Sequence, residues 1–192
     1  MCITSLSTLL QGIAPVPSVF DVTIHGLKTD SRDVRSGDAF VALAGARTPA
    51  DHYIEQAIGA GATVILLESA QPDECYEHEG VLIVPVTMLR AHLGKLADRF
   101  FEHPSQRLRL IGVTGTNGKT SVSHYIATLL QETGTPCGVI GTLGYGMPGA
   151  LQEGTHTTPD VVQLNRVLSK IIAQGGRAAA MEVSSHALEQ GR

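Results

Sequence analysis

The stretch that most constrains how this chain can fold is Gly112-Val113-Thr114-Gly115-Thr116-Asn117-Gly118-Lys119-Thr120-Ser121. It lies between a buried apolar run, Leu108 to Thr114, and a run of helical apolar spacing, Lys119 to Glu132. A strand that passes through a glycine-rich turn into a helix is the setting of a phosphate loop. Gly115 and Gly118 let the backbone turn tightly and bring several N–H groups onto phosphate oxygens. The helix that begins there adds the positive end of its dipole. Lys119 is positioned to reach the β- and γ-phosphates, and the Thr120 hydroxyl to ligate Mg²⁺. The spacing departs from the strict Walker pattern, because Val113 stands where that pattern has a glycine. An ordinary glycine-rich turn is the alternative. A phosphate loop by itself specifies a nucleotide and leaves the reaction open.

The surrounding pattern supplies the fold class. In the helix after the loop, Val122, Tyr125, Ile126, Leu129 and Leu130 are expected on one face. Cys137 to Gly141 reads as a second strand, and Asp160 to Gln174 as a second helix carrying Leu164, Val167, Leu168, Ile171 and Ile172. Arg177 to Val183 reads as a third strand. Strand-helix-strand-helix-strand implies right-handed crossovers and a parallel sheet, with ligands beyond the carboxyl ends of its strands. Upstream the reading is a smaller α/β domain. Phe40 to Leu43 is a short apolar run, Thr63 to Leu67 and Val81 to Val84 are buried strands, and Ile54 to Ala60 is a short helix stopped by Gly61. Leu89, Leu93, Leu96, Ala97 and Phe100 recur at helical spacing. Pro104 in Glu102-His103-Pro104-Ser105-Gln106 biases His103 out of the helical region. The boundary is drawn there, giving domains 1–103 and 104–192.

Bulk properties remove other classes. A net charge of -4 and a pI near 6.0 argue against a nucleic-acid or anionic-membrane binder. No apolar run approaches the ~18 residues of a membrane span, and the N-terminus has no basic segment of a secretory signal. Cys2, Cys75 and Cys137 are too dispersed for a zinc site or a disulfide framework. A reduced, cytoplasmic protein is expected.

Two further segments offer chemistry. Glu182 ends the apolar run Ala180-Met181-Glu182-Val183. An acid there is costly unless solvated or metal-bound, so it is either a surface acid at a strand end or a partner of Thr120 in holding Mg²⁺. Thr157-Thr158-Pro159-Asp160 precedes the second helix. It reads as helix-start punctuation, or as hydroxyls turned toward a substrate. His186 reads as a capping or packed residue.

Taken together, these residues resemble the Mur ligase family over nearly the whole chain. Gly115-Thr116-Asn117-Gly118-Lys119-Thr120 is similar to the family's ATP loop, which itself departs from the Walker spacing. Thr29-Asp30-Ser31-Arg32 with Gly37-Asp38-Ala39-Phe40 is similar to its uridine-binding segment. Thr157-Thr158-Pro159 and Met181-Glu182-Val183-Ser184-Ser185-His186-Ala187-Leu188 are similar to central-domain motifs of the branch that adds the third residue of the peptidoglycan stem. The resemblance implies a small N-terminal α/β UDP-binding domain followed by the first part of a parallel-sheet, phosphate-loop ATP-binding domain. It implies that Thr29, Ser31, Ala46, Arg47 and Thr48 contact the UDP-sugar. His156, Thr157, Thr158, Ser184, Gln190 and Arg192 would contact the muramoyl dipeptide. Gly115, Thr116, Asn117, Gly118, Lys119, Thr120 and Ser121 would hold ATP, with Lys119 catalytic and Thr120 and Glu182 on Mg²⁺. The implied reaction is ATP-dependent addition of diaminopimelate or lysine to UDP-N-acetylmuramoyl-L-Ala-D-Glu through an acyl phosphate. The sequence departs from the family pattern at Ala46, often histidine in relatives, and at His156, where asparagine is common. Family members are more than twice as long, so the amino-acid site is expected to lie outside this chain, and the chain alone is expected to be inactive. Two other readings stand beside this one: a silent binder of UDP-muramoyl ligands, and another phosphate-loop phosphotransferase, which the Thr29-Asp30-Ser31-Arg32 segment argues against.

Overall fold

The structure is a computed structural model and describes residues 2–43, 50–71, 73–152 and 158–189. Its contacts divide the chain into two compact units, Met1–Phe100 and Phe101–Arg192.

The first unit opens with β1 (Thr4–Ser5), α1 (Leu6–Leu10), β2 (Thr23–Ile24) and β3 (Gly26–Lys28). It continues through β4 (Asp38–Ala42), α2 (Ala50–Gly59), β5 (Val64–Ser69), β6 (Tyr76–His78), β7 (Val81–Thr87) and α3 (Leu89–Phe100). Its main sheet has the order β3-β4-β5-β7-β6, with only β6 antiparallel to its neighbour. Strands β4 and β7 are buried almost without alternation because parallel strands are covered on both faces. Phe40, Ala42, Ile65 and Ile83 pack with Ile54 and Ala57 of α2. Helix α3 packs on β5 and on α1. Arg99 donates from Nη1 to the carbonyls of Thr8 (3.2 Å) and Leu9 (2.6 Å), supplying partners at the end of α1.

The second unit runs α4 (Pro104–Arg107), β8 (Arg109–Val113), α5 (Lys119–Glu132), β9 (Cys137–Gly141), β10 (Gly144–Gly146), α6 (Val161–Ala173), β11 (Ala178–Glu182) and α7 (Ser185–Glu189). The sheet order is β10-β9-β11-β8, with β9, β11 and β8 parallel. The sequence pattern missed β10, which folds back antiparallel on β9 inside a glycine-rich stretch. The segment around Pro104 is a structured corner. Glu102 and His103 both have positive φ, and Pro104 opens the single turn of α4 as a buried residue. Asp160 caps α6, accepting from the N–H groups of Val162 and Gln163 at 2.9 Å each.

Two expectations are corrected. The run Leu108 to Thr114, read as buried, forms the edge strand β8, in which Arg109, Leu110 and Gly112 are exposed and only Leu108, just before the strand, is buried. The second concerns α5. Val122, Tyr125 and Leu129 of α5 are 44%, 69% and 66% exposed, while Ser123 and Ala127 are buried and Ile126 and Leu130 half-buried. The helix is rolled so that its small residues meet Cys137, Val139 and the alanines of β11. Close approach of a helix to an alanine strand favours Ser123 and Ala127 over larger side chains. Ser123 is satisfied by donating to the carbonyl of Thr120 at 2.9 Å. Among the described residues, no helix is long and apolar enough to cross a membrane.

Candidate nucleotide and substrate sites

Strand β8 ends at Val113, and the chain turns through Gly115 (φ +140°) and Gly118 (φ +81°) into α5. Both glycines use backbone conformations that L side chains rarely adopt. Gly118 is the residue before the helix, so the first-turn N–H groups open onto the loop. Lys119 folds back across it, donating from Nζ to the carbonyls of Gly115 (2.8 Å) and Thr116 (3.3 Å). Thr116, Asn117 and Ser121 are exposed and Thr120 is half-buried.

Glu182 pairs in register with Val113, so the last residue of β11 lies beside the end of the strand that feeds the loop. Its side chain is 1% exposed, which removes the surface-acid alternative. Thr142 donates to it twice, from N–H to Oε1 at 2.8 Å and from its hydroxyl to Oε2 at 3.2 Å. Among the described residues, no cation pairs with it. A carboxylate withdrawn from water without a counter-charge, at the carboxyl end of a parallel strand, suits a divalent cation by its donor chemistry.

Thr158 is buried, and its hydroxyl donates to the carbonyl of Glu182 at 3.0 Å while accepting from the N–H of Ser184 at 3.5 Å. The Ser184 hydroxyl accepts from the N–H of Ala187 at 3.1 Å and caps α7. Both residues therefore hold the chain that leaves β11. Ala46, Arg47, Thr48, His156, Thr157, Gln190 and Arg192 lie outside the described residues.

The first unit contains a cavity of about 500 Å³. Thr29, Asp30, Ser31 and Arg32 form one side, Phe40 to Leu43 run along it, and Tyr53 and Gln56 reach in from α2. Ser31 is 3% exposed and donates to the side-chain carbonyl of Gln56 at 2.6 Å. Asp30 takes the Arg32 guanidinium on both oxygens, with Nη2 on Oδ2 at 2.6 Å and Nε on Oδ1 at 2.9 Å. Those bonds hold the Asp30 carboxyl below its ordinary pKa. Tyr53 and Gln56 were not singled out from sequence, where Gln56 looks like an unremarkable position of the short helix Ile54 to Ala60 and Tyr53 stands just before it. Asp38, within the segment read as uridine-binding, turns elsewhere: its Oδ2 accepts the N–H of Arg35 at 3.0 Å and lies 3.6 Å from Lys28 Nζ. Glu55, His78 and Glu79 could together present three ligand atoms to a metal, but all three are exposed, and His78 Nε2 lies 3.2 Å from Glu55 Oε1, so two of the three already partner each other.

Comparison with known proteins agrees with the division into two units. Residues 23–101 match the family described as "Mur ligase family, catalytic domain", and residues 113–192 match "Mur ligase middle domain". A UDP-N-acetylmuramoyl-L-alanyl-D-glutamate--2,6-diaminopimelate ligase of Alkalilimnicola ehrlichii is 46% identical over 194 residues, covering 97% of this chain and 39% of that protein. The protein of the same name from Xanthomonas campestris pv. campestris is 48% identical over 188 residues, covering 98% and 37%. A solved structure of a UDP-N-acetylmuramoyl-L-alanyl-D-glutamate--2,6-diaminopimelate ligase superposes with a TM-score of 0.75 at 30% identity, covering 100% of this chain and 38% of that one. The chain spans less than two-fifths of the length of each of these relatives.

Proposed function

Since the chain belongs to the Mur ligase family, we propose that it contributes the substrate- and nucleotide-binding part of an ATP-dependent ligase of peptidoglycan precursor synthesis, working in the cytoplasm. The proposed reaction joins diaminopimelate to UDP-N-acetylmuramoyl-L-Ala-D-Glu. The choice of diaminopimelate over lysine is supported by the names of relatives 46% and 48% identical to the chain. The observation that carries the nucleotide reading is the turn from β8 into α5, with Lys119 laid across it and the buried Glu182 at the end of the next strand.

In this reading domain 1–103 takes the UDP-sugar in its cavity, with Thr29 and Ser31 joined by Ala46, Arg47 and Thr48. Domain 104–192 takes ATP on Gly115 through Ser121. The muramoyl dipeptide is met by His156, Thr157, Thr158, Ser184, Gln190 and Arg192. Thr120 and Glu182 would hold Mg²⁺, which supplies charge neutralisation on the phosphates when bound.

The chemistry is phosphoryl transfer followed by amide formation. An oxygen of the D-Glu carboxylate attacks the γ-phosphorus, the bond to the bridging oxygen breaks, and ADP leaves with that electron pair. The diaminopimelate amine then attacks the acyl carbon, loses a proton, and phosphate departs. Lys119 would exchange the carbonyls of Gly115 and Thr116 for phosphate oxygens, and the loop N–H groups would spread the charge of the transferring group.

Calorimetric titration of the chain tests both halves. UDP-N-acetylmuramoyl-L-Ala-D-Glu is expected to bind selectively over UDP-glucose. Lys119→Ala is expected to weaken ADP binding at least about tenfold, in line with the roughly 1.5–3 kcal/mol that a hydrogen bond to a charged group supplies, and to leave the UDP ligand untouched. Equal ADP affinity in a folded Lys119→Ala chain would remove the ATP-loop assignment.

A further inference from the structure

Gly141 closes β9, Gly144 opens β10, and the two are paired, so Thr142 and Leu143 form a two-residue hairpin loop. The N–H of Thr142 falls outside that ladder, and it is the group that donates to Oε1 of Glu182. The hydroxyl of the same residue donates to Oε2. A glutamate carboxylate otherwise rotates about a broad terminal torsion. Bonding both oxygens to one residue of a tight turn removes that rotation. Each ionised oxygen offers about two lone-pair sites, and Thr142 occupies one on each, leaving one on each. Gly141 supplies the clearance, since a Cβ there would collide with Oε1 of Glu182.

We propose that Thr142 is the positioning residue of the nucleotide's cation site, fixing the plane of the Glu182 carboxylate so that its remaining lone pairs meet a divalent cation. The inference rests on reading Gly115 to Ser121 as an ATP loop. It assigns the Thr142-Leu143 turn a role that its sequence, a glycine-rich connection, does not announce. A group that orients a metal ligand typically accounts for about 10–100-fold in metal affinity.

The test uses the 192-residue chain, Mn²⁺ as probe and ADP as nucleotide. Electron paramagnetic resonance reads Mn²⁺ affinity with ADP present, and calorimetry in EDTA reads metal-free ADP affinity. Thr142→Val, which keeps the N–H and loses the hydroxyl, is expected to weaken Mn²⁺ at least about tenfold, with metal-free ADP affinity unchanged. Thr142→Ser is expected to restore most of the loss. Gly141→Ala keeps the hydroxyl and removes the clearance, and is expected to give the same selective loss, which covers the case of a Thr142→Val chain that fails to fold. Mn²⁺ affinity equal to that of the unsubstituted chain in folded Thr142→Val would overturn the proposal. So would an equal loss of metal-free ADP binding, which would assign Thr142 to the loop's fold. Failure of the unsubstituted chain to bind ADP at all would overturn the ATP-loop reading, and this inference with it.

Discussion

Asp38 in the first unit and Glu182 in the second are both buried acids, and each faces a glycine on the neighbouring strand that has no room for a Cβ: Gly26 against Asp38, Gly141 against Glu182. They differ in what answers their charge. Asp38 begins β4, and Lys28 and the N–H of Arg35 come to it from within the unit. Glu182 ends β11 and receives two neutral donors from Thr142, with no cation among the described residues. Nearly the same local packing thus serves two ends of a parallel sheet. At the amino end the charge is closed internally and ties β3 to β4. At the carboxyl end, where ligands of such sheets bind, only neutral donors meet it among the described residues, which is what the proposed cation site requires.

That contrast can be broken by substitution, and the effects should fall in a set order. Asp38→Asn leaves Lys28 without its partner, and about 3 kcal/mol of stability is expected to go from the first unit, read by urea unfolding. A loss below ~1 kcal/mol would mean that Asp38 is not the internal clamp described here. Gly141→Ala overpacks the Glu182 pocket and is expected to cost about 1–3 kcal/mol in the second unit, with hydrogen exchange at β9 and β10 reporting the site of damage. Glu182→Gln removes a buried charge with no internal counter-ion, so its unfolding midpoint without metal is expected to stay within ~1 kcal/mol of the parent or to rise. A loss as large as that of Asp38→Asn would erase the distinction between the two acids. The smallest effect belongs to Asp30, a half-buried member of the cavity wall. Arg32 holds its carboxyl below the ordinary value of 3.8, so its contribution is present above that value and disappears as pH falls through the lower folded value. Solvent screening keeps it below about 1 kcal/mol. Asp30→Asn is expected to flatten that part of an acid-unfolding profile and leave stability at neutral pH nearly unchanged.

The sequence was most informative where period and punctuation agreed. Continuous apolar runs became β4, β5, β7, β9 and β11, and the run from Lys119 to Glu132 became α5 with the same ends. It was least informative where small residues carry the packing. In α5 the large apolar residues advertise one face, yet Ser123 and Ala127 fill the core because the strand beneath is Ala178-Ala179-Ala180 and leaves no depth for more. Helical spacing gives the width of an apolar stripe and not its depth. Strand β10 escaped for a related reason: Gly144 and Gly146 carry no side chains to alternate, so only Tyr145, packed in the core with Ile140 and Leu168, marks the strand. Of the proposed site, the positions of Lys119, Thr120 and Glu182 could be read ahead because each sits at a fixed offset from a strand end. Thr142, Tyr53 and Gln56 were not, since each acquires its role from a neighbour distant in sequence.

Lys119 meets any incoming phosphate already engaged. Because its ammonium donates to Gly115 and Thr116, anion capture by the proposed ATP loop would be an exchange and not an addition: two internal bonds would open for each new set made. A small monoanion that offers one oxygen gains little by such a trade, whereas a chain of phosphates can replace both carbonyls and still reach the N–H groups of the turn. If the loop holds ATP as proposed, the lysine would act as a selectivity filter for polyphosphate against small anions, and the heat of binding would be a difference between two hydrogen-bonded states.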